Sequence, residues 1–281
     1  LRQTIPNAAR AALLTTICLG LGLGSALAST TADAGDQVNV LILKEHGVGS
    51  SSSAQEFVDK LITHVATQNS WSSAAGKYLT SRSMAAQWVG ANNPHYGILS
   101  LAAFLDLRGK YKLEVIGSAT VSGGGGRQYF VVSASEGTLA GCKGKTLGTD
   151  HGDDTRFIDK VVAKSDFSLS DFSVEDTRRP MKTVKAAARG EVACALIDDA
   201  QKASLSKVEG GDAVKVVWTS TELPPMAVVA FPAAPAGEKK TFEGTLTKVC
   251  SGDGATACKE VGLRSLSPAS DSDYAAVISS Y

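Results

Sequence analysis

Val38-Asn39-Val40-Leu41-Ile42-Leu43 is a nearly continuous apolar run of strand length. A strand on a half-solvated sheet alternates apolar with polar residues, so a run apolar at both parities has to be covered on both faces. Lys44-Glu45-His46-Gly47-Val48-Gly49 and four serines, Ser50 to Ser53, follow it. Glu56, Phe57, Leu61, Ile62 and Val65 then repeat at helical spacing to about Gln68. This is a βα unit, and open α/β sheets place ligands at the carboxyl ends of such strands.

Further units follow. Tyr78-Leu79-Thr80 reads as a strand and Ser83 to Val89 as a helix. Asn92-Asn93-Pro94 is a turn, Tyr96 to Ser100 a strand, Leu101 to Leu107 a helix, and Leu113 to Ala119 a strand. Gly123 to Gly126 then interrupt the chain before a strand over Gln128 to Ser133. Four consecutive glycines are costly to order inside a packed element, so they read as a crossing between two bodies. No GK[ST] ends the run, which sets aside a phosphate-binding P-loop.

Glu136 to Phe157 (EGTLAGCKGKTLGTDHGDDTRF) holds a helical turn at Gly137 to Ala140, a break at Lys143-Gly144-Lys145 and a short strand at Thr146 to Gly148. Its polar loop, Thr149 to Thr155, opens onto a helix from about Arg156, a combination that gathers free backbone N–H groups. Asp166 to Val174 reads as a loop, Arg179 to Ala188 as a helix, and Gly190 to Ile197 as a strand ending at Asp198-Asp199. Val214 to Trp218 and Met226 to Phe231 are strands flanking Thr219 to Pro225. A closing helix, interrupted between Cys250 and Cys258, and Tyr274 to Ile278 complete the chain.

The 281 residues are 43% hydrophobic and 20% charged, enough for one large or two smaller domains. Basic and acidic residues balance at 28 each with no basic block, which argues against nucleic acid as a partner. Arg2 and Arg10 flank the start of an apolar run, Ala11 to Leu23, too short to span a bilayer, and Ala26-Leu27-Ala28 is an A-x-A cleavage site. A cleavable signal peptide is therefore expected over residues 1–28, then a polar tether over 29–36, with no membrane insertion after cleavage. Cys142, Cys194, Cys250 and Cys258 remain, and an even number in an exported chain favours disulfides. Cys250 with Cys258 closes a short polar loop, and Cys142 with Cys194 follows by subtraction. No C-x-x-C supports zinc.

Taken in order, these pieces resemble the periplasmic solute-binding proteins of ABC transporters, in the phosphate/phosphonate-binding branch of the type 2 periplasmic binding fold. The resemblance rests on Gly144-Lys145-Thr146-Leu147 before a polar loop, on Tyr96 to Ser100 feeding a helix, and on Arg189-Gly190-Glu191 opening a strand that ends at Asp198. Ser220 to Pro225 between two strands resembles the family's return crossing. The likeness runs from about Val38 to Tyr281. It implies a two-lobed α/β fold, each lobe a mostly parallel sheet flanked by helices, joined by two hinge crossings. Lobe 1 is expected over 37–125, lobe 2 over 126–218, and the hinge return with the second part of lobe 1 over 219–281. It further implies a periplasmic monomer that captures a small polar solute, of phosphate or phosphonate type, for a membrane permease. No cofactor is implied.

In that fold the ligand-binding candidates are Lys44, His46, Ser50, Ser51, Ser52, Ser100, Asp150, His151, Gly152, Asp153, Asp154, Thr155, Asp198 and Ser220. His95 precedes its strand and His64 falls mid-helix, so both read as structural or surface residues. The family presents a Ser/Thr-rich motif at the second-lobe helix, whereas this chain has His151-Gly152-Asp153-Asp154-Thr155. At about 5 Å and an effective dielectric of about 20, each carboxylate repels a unit anion by roughly 3 kcal/mol. A helix terminus returns only about 0.3–1 kcal/mol.

Three arrangements escape the conflict. The aspartates cap their own helix; or the ligand carries an ammonium group paired with Asp198 and a loop aspartate, with Lys44, Arg156 and the serines on its anionic end; or His46, His151, Asp150 and Asp153 meet as a nitrogen/oxygen metal site. No short-range spacing supports the metal, so none is assigned. An enzyme using His151 as a base lacks a legible nucleophile, and no catalytic residue is assigned. An orphan or sensor-associated binding module stays as an alternative to transport.

Overall fold

The computed structural model describes residues 37–46 and 51–281. The expected signal peptide and tether, and Ser50, lie outside them. The chain runs β1 (Val38–Leu43), α1 (Ser51–Asn69), β2 (Ala74–Leu79), α2 (Arg82–Asn92), β3 (Tyr96–Leu99), α3 (Leu101–Tyr111) and β4 (Glu114–Val121). It continues through β5 (Tyr129–Ser133), α4 (Leu139–Cys142), β6 (Thr146–Thr149), α5 (Thr155–Phe157) and a π-helical turn, Ile158–Val162. Then come β7 (Ser173–Asp176), α6 (Pro180–Ala188), β8 (Cys194–Asp198), α7 (Asp199–Lys202) and β9 (Lys215–Thr219). The chain returns as β10 (Met226–Ala230), α8 (Ala236–Val249), α9 (Gly254–Glu260), β11 (Leu263–Pro268) and α10 (Ala275–Ser280). No helix among the described residues is long and apolar enough to cross a membrane.

The strands form two mixed sheets. The first has the order β11-β4-β10-β3-β1-β2 and the second β7-β6-β8-β5-β9. β1, β2 and β3 pair in parallel, as do β6, β7 and β8. β10 and β11 in the first sheet, and β5 in the second, run against their neighbours. The reversal follows from connectivity, since β5 and β10 are each the first strand after the chain changes sheet.

The apolar run of β1 divides by parity as its composition requires. Leu41 and Leu43 pack with Phe104 and Val229 on one face, and Val40 and Ile42 with Leu61, Ile98 and Leu246 on the other. In the second sheet Phe130, Val132 and Ile197 pack under α6. Tyr129, Val131 and Leu196 join Phe157, Ile158, Tyr274 and Val277 in the core they share with the first sheet.

Two segments cross between the sheets, 122–128 and 220–225. They are laced together: Leu223 N donates to Arg127 O at 2.7 Å and Ser220 N to Tyr129 O at 2.9 Å. At the near end Ser122 N donates to Gly262 O at 2.9 Å in the first body. Gly123 to Gly126 all have positive φ, between 74° and 126°, a region that disfavours every residue with a Cβ.

Most elements lie where the sequence places them, with α1 opening at Ser51 and so absorbing Ser51 to Ser53. Two strands were not expected. All four residues of β7 are exposed, so it carries no apolar pattern. β11 buries Leu263 and Leu266, but a register shift between Leu263 and Ser265 erases its alternation. Arg156, expected at the anionic end of a ligand, instead stacks its guanidinium 4.2 Å from the Tyr281 ring centroid.

Both disulfides form as expected, Cys142–Cys194 across 52 residues and Cys250–Cys258 across 8. Loop-closure entropy makes the longer link worth about 4 kcal/mol and the shorter about 2.5 kcal/mol. Urea denaturation is expected to show a larger loss for C142A/C194A than for C250A/C258A; equal losses would contradict the loop-length account.

Candidate functional site

The parallel strands of both sheets end at the same place. Lys44, Glu45 and His46 follow β1, Ser100 follows β3, His151 follows β6, and Asp198 ends β8; all line one cavity of about 450 Å³. Gly123 to Gly126 and Tyr129 form its floor at the first crossing. His46 also lines an adjoining cleft with Arg82, Asp150, Asp153 and Asp154.

Asp150 is 5% exposed and each of its oxygens is engaged. Oδ1 accepts from Gln201 Nε2 at 2.8 Å and Thr183 Oγ1 at 3.1 Å, and Oδ2 lies 3.1 Å from His46 Nδ1. Burial opposes ionisation of Asp150, but His46, His151 and the Gln201 amide outweigh it and hold the carboxyl well below the usual range. His46 responds in the opposite sense. Burial lowers its pKa, while Asp150, Glu45 and Asp153 overcome that and raise it. The His151 ring, centred 4.0 Å from that of His46, is pushed down by its own burial and then by the neighbouring His46 charge.

A second link between the bodies passes through Arg82 at the start of α2. Its Nε and an Nη atom grip Glu45 at 2.7 and 2.9 Å, and the same Nη bonds Asp154 ahead of α5. Asp154 occupies the N-cap position of α5, yet its side chain makes no capping hydrogen bond. The helix-cap role expected for the loop aspartates is therefore not what Asp154 does. A guanidinium within reach offers a charge-assisted pair, which outcompetes a single amide.

Asp198 and Asp199 hold the glycine-rich crossing. Asp199 accepts from Gly125 N at 2.9 Å and Arg127 N at 3.1 Å, and Asp198 from Gly126 N at 3.1 Å. Consecutive backbone N–H groups of this kind form an anion-binding nest, and here the chain's own carboxylates fill it. Asp198 also makes a reciprocal cap with Gln201 at 2.8 Å each way. Burial, opposed by the Gln201 amide and reinforced by Asp199 and Asp150, pushes its carboxyl up to about 6.

The structure thus brings together Lys44, His46, Ser100, Asp150, His151 and Asp198, with Asp153 and Asp154 in the adjoining cleft. Ser100 Oγ donates to Glu45 at 3.0 Å while capping α3. Ser220 stands apart, its hydroxyl accepting from Tyr129 N and donating to Thr221 O inside the crossing. Thr155 is exposed and Gly152 half-buried, neither lining the cavity. Ser51 and Ser52 open α1, and their side chains lie outside the description. His64 bonds Gln68 and His95 accepts from Asn39 N, in line with structural roles.

Sequence reasoning missed Glu45, Arg82, Tyr129, Thr183, Asp199 and Gln201. The strand-end rule that selected Lys44 and His46 covers Glu45 between them, and applied to β2 it reaches Arg82. Nothing in the sequence marks Thr183 or Gln201, which approach Asp150 only through the packing of α6 and α7.

A family profile described as "ABC transporter, phosphonate, periplasmic substrate-binding protein" matches residues 47–274. The chain superposes on the binding-protein component of an ABC phosphonate transporter from Pseudomonas aeruginosa with a TM-score of 0.61 at 12% identity, covering 86% of this chain and 85% of that one. A chloride-bound protein from Xanthomonas citri gives 0.65 at 11% identity, over 85% and 97% of the two chains. PhnD1 from Prochlorococcus marinus, in complex with methylphosphonate, gives 0.62 at 9%, over 85% and 95%. At these identities the likeness is one of fold, the two-lobed architecture expected from the sequence. No curated protein matches the chain.

Two tests follow from the geometry. Glu45 and Asp154 have side chains only 10% and 8% exposed, so R82A leaves two buried carboxylates without their cation. It is expected to cost about 3–5 kcal/mol in urea denaturation, and a loss under 1 kcal/mol would mean that water already screens the pair. Asp198 binds its proton more tightly folded than unfolded, where it titrates near 3.9. Its contribution to stability is present below about pH 4 and is lost as pH rises through about 6. D198N is expected to flatten that decline; identical pH profiles for both proteins would refute the assignment.

Proposed function

This chain belongs to the periplasmic substrate-binding proteins of ABC phosphonate transporters, and we propose that it captures a small dipolar solute, with a phosphonate-type anion at one end and an ammonium at the other. The observation that carries the reading is the pair of opposite charges on one cavity wall set, Lys44 after β1 and Asp198 at the end of β8. At about 5 Å and an effective dielectric of about 20, each attracts its counter-charge by roughly 3 kcal/mol. A simple anion gains from Lys44 and loses as much to Asp198, whereas a dipolar solute gains from both. Of the loop aspartates, Asp150 and Asp154 are engaged by His46 and Arg82, and Asp153 lines the adjoining cleft and not the cavity.

Capture works by closure of two lobes, 37–125 with 219–281 against 126–218, about the two crossings. His46–Asp150 and Arg82–Asp154 join residues of the two sheets and hold the closed form, which then docks on a membrane permease. In this reading the protein is exported by a cleavable signal over residues 1–28, acts as a monomer, and binds its solute without transforming it.

Calorimetry of the chain from Ser29 with 2-aminoethylphosphonate, methylphosphonate and inorganic phosphate tests the reading. The amino compound is expected to bind at least about tenfold more tightly than methylphosphonate, the equivalent of about 1.4 kcal/mol. D198N removes the preference and K44A weakens both phosphonates. Equal affinity for all three anions in the unmodified protein would overturn the dipolar reading.

A further inference from the structure

His46, Asp150 and His151 offer two imidazoles and a carboxylate whose donor atoms all lie within 4.8 Å of one another. The three come from both bodies, His46 behind β1 of the first sheet and Asp150 and His151 behind β6 of the second. An ordinary core histidine bonds both of its polar edges to the protein. His151 is only 4% exposed, yet among the described residues its Nε2 is buried without a hydrogen-bond partner. A buried polar atom left in that state costs about 1–3 kcal/mol, so something has to offset it.

The surroundings match what a metal ligand requires. Asp150 Oδ1 is pinned by Thr183 Oγ1 and Gln201 Nε2, which orients the carboxylate and leaves Oδ2 turned toward His46. Hydrogen bonds to the non-ligating side of a ligand are the usual outer support of metal sites. His46 and His151 both line the central cavity, and His46 and Asp150 the adjoining cleft, so an ion has a route in and open positions once bound. Asp153, also weighed as a ligand from the sequence, is exposed and does not join the group.

We propose that His46, Asp150 and His151 bind one divalent transition-metal ion that bridges the two sheets. Two imidazoles with one carboxylate suit Zn²⁺, Co²⁺, Ni²⁺ or Cu²⁺, while Mg²⁺ and Ca²⁺ take all-oxygen sets. Tetrahedral bonds of about 2.0–2.2 Å set donors roughly 3.3 Å apart, so shifts on the order of 1 Å complete the site. Because its ligands come from both bodies, the ion favours the closed arrangement over any in which they part. The site uses neither Lys44 nor Asp198, so it stands or falls separately from the dipolar-solute reading.

The test is titration of chelator-treated chain from Ser29 with Zn²⁺ by calorimetry and with Co²⁺ by visible absorption, no solute present. One ion per chain is expected, with a Co²⁺ spectrum of low coordination number. H46Q and H151Q each weaken Zn²⁺ binding by more than about 100-fold, and T183A, which removes one of the hydrogen bonds that pin Asp150, by about 10- to 100-fold. H64Q, outside the cavity, leaves it unchanged. Circular dichroism checks the fold of each variant, and the Co²⁺ spectrum of the unmodified protein needs no variant at all. No Zn²⁺ or Co²⁺ binding by the folded unmodified chain, a hexa-aquo-like spectrum, or binding indifferent to H46Q and H151Q would each overturn the proposal. The phosphonate titrations, repeated in chelator, report on the solute site alone.

Discussion

A carboxylate taken out of water has to be surrounded by donors or cations, because an unpaired buried charge costs more than a small domain can carry. Asp150 imposes that requirement at the centre of this molecule. It draws on His46 behind β1, Thr183 on α6 and Gln201 on α7, three segments that the chain brings together only when both sheets are in place. The position of the cavity follows from it. Where His46 reaches Asp150, the carboxyl ends of the two sheets face each other.

The remaining charges are distributed so that few are left for a ligand. Arg82 binds Glu45 and Asp154, and Asp199 fills the amide nest of the glycine-rich crossing. A sequence with three aspartates in one loop and four glycines before it suggests two competing anion arrangements. The structure resolves both internally, since the glycine amides receive carboxylates of the chain itself. What faces the cavity after this pairing includes Lys44, Lys259 and, at Asp198, a carboxylate of unusually high proton affinity.

Much of the architecture was legible from local pattern. The unbroken apolar run of β1 required two covered faces, the four glycines marked a crossing, and the order of units gave a family resemblance that the profile match bears out. β7 was invisible because every side chain on it is solvated, and β11 because a bulge breaks its period. The site was half legible for a similar reason. Strand ends can be read from sequence, so Lys44, His46, Asp150 and Asp198 were placed at the cavity or its adjoining cleft. Partners that arrive from elsewhere, such as Thr183 and Gln201, are fixed by how helices pack and leave no mark in their own neighbourhood.

The bonds along the crossings also bear on the proposed closure of the lobes. Ser122 is tied to Gly262 on one side, and Gly125 through Gln128 to Asp198 and Asp199 on the other. Only Gly123 and Gly124 lie between the two anchorages. Turning those two residues breaks none of these bonds, whereas turning any later one breaks at least one. The return segment is anchored likewise, by Ser220 and Leu223 to the first crossing and by the Tyr274 hydroxyl on the Pro225 carbonyl. That leaves Pro224-Pro225, whose φ angles are locked. In the proposed closure the pivot is therefore lopsided, a two-residue swivel running beside a stiff strut, which favours hinging about one axis over free wobble.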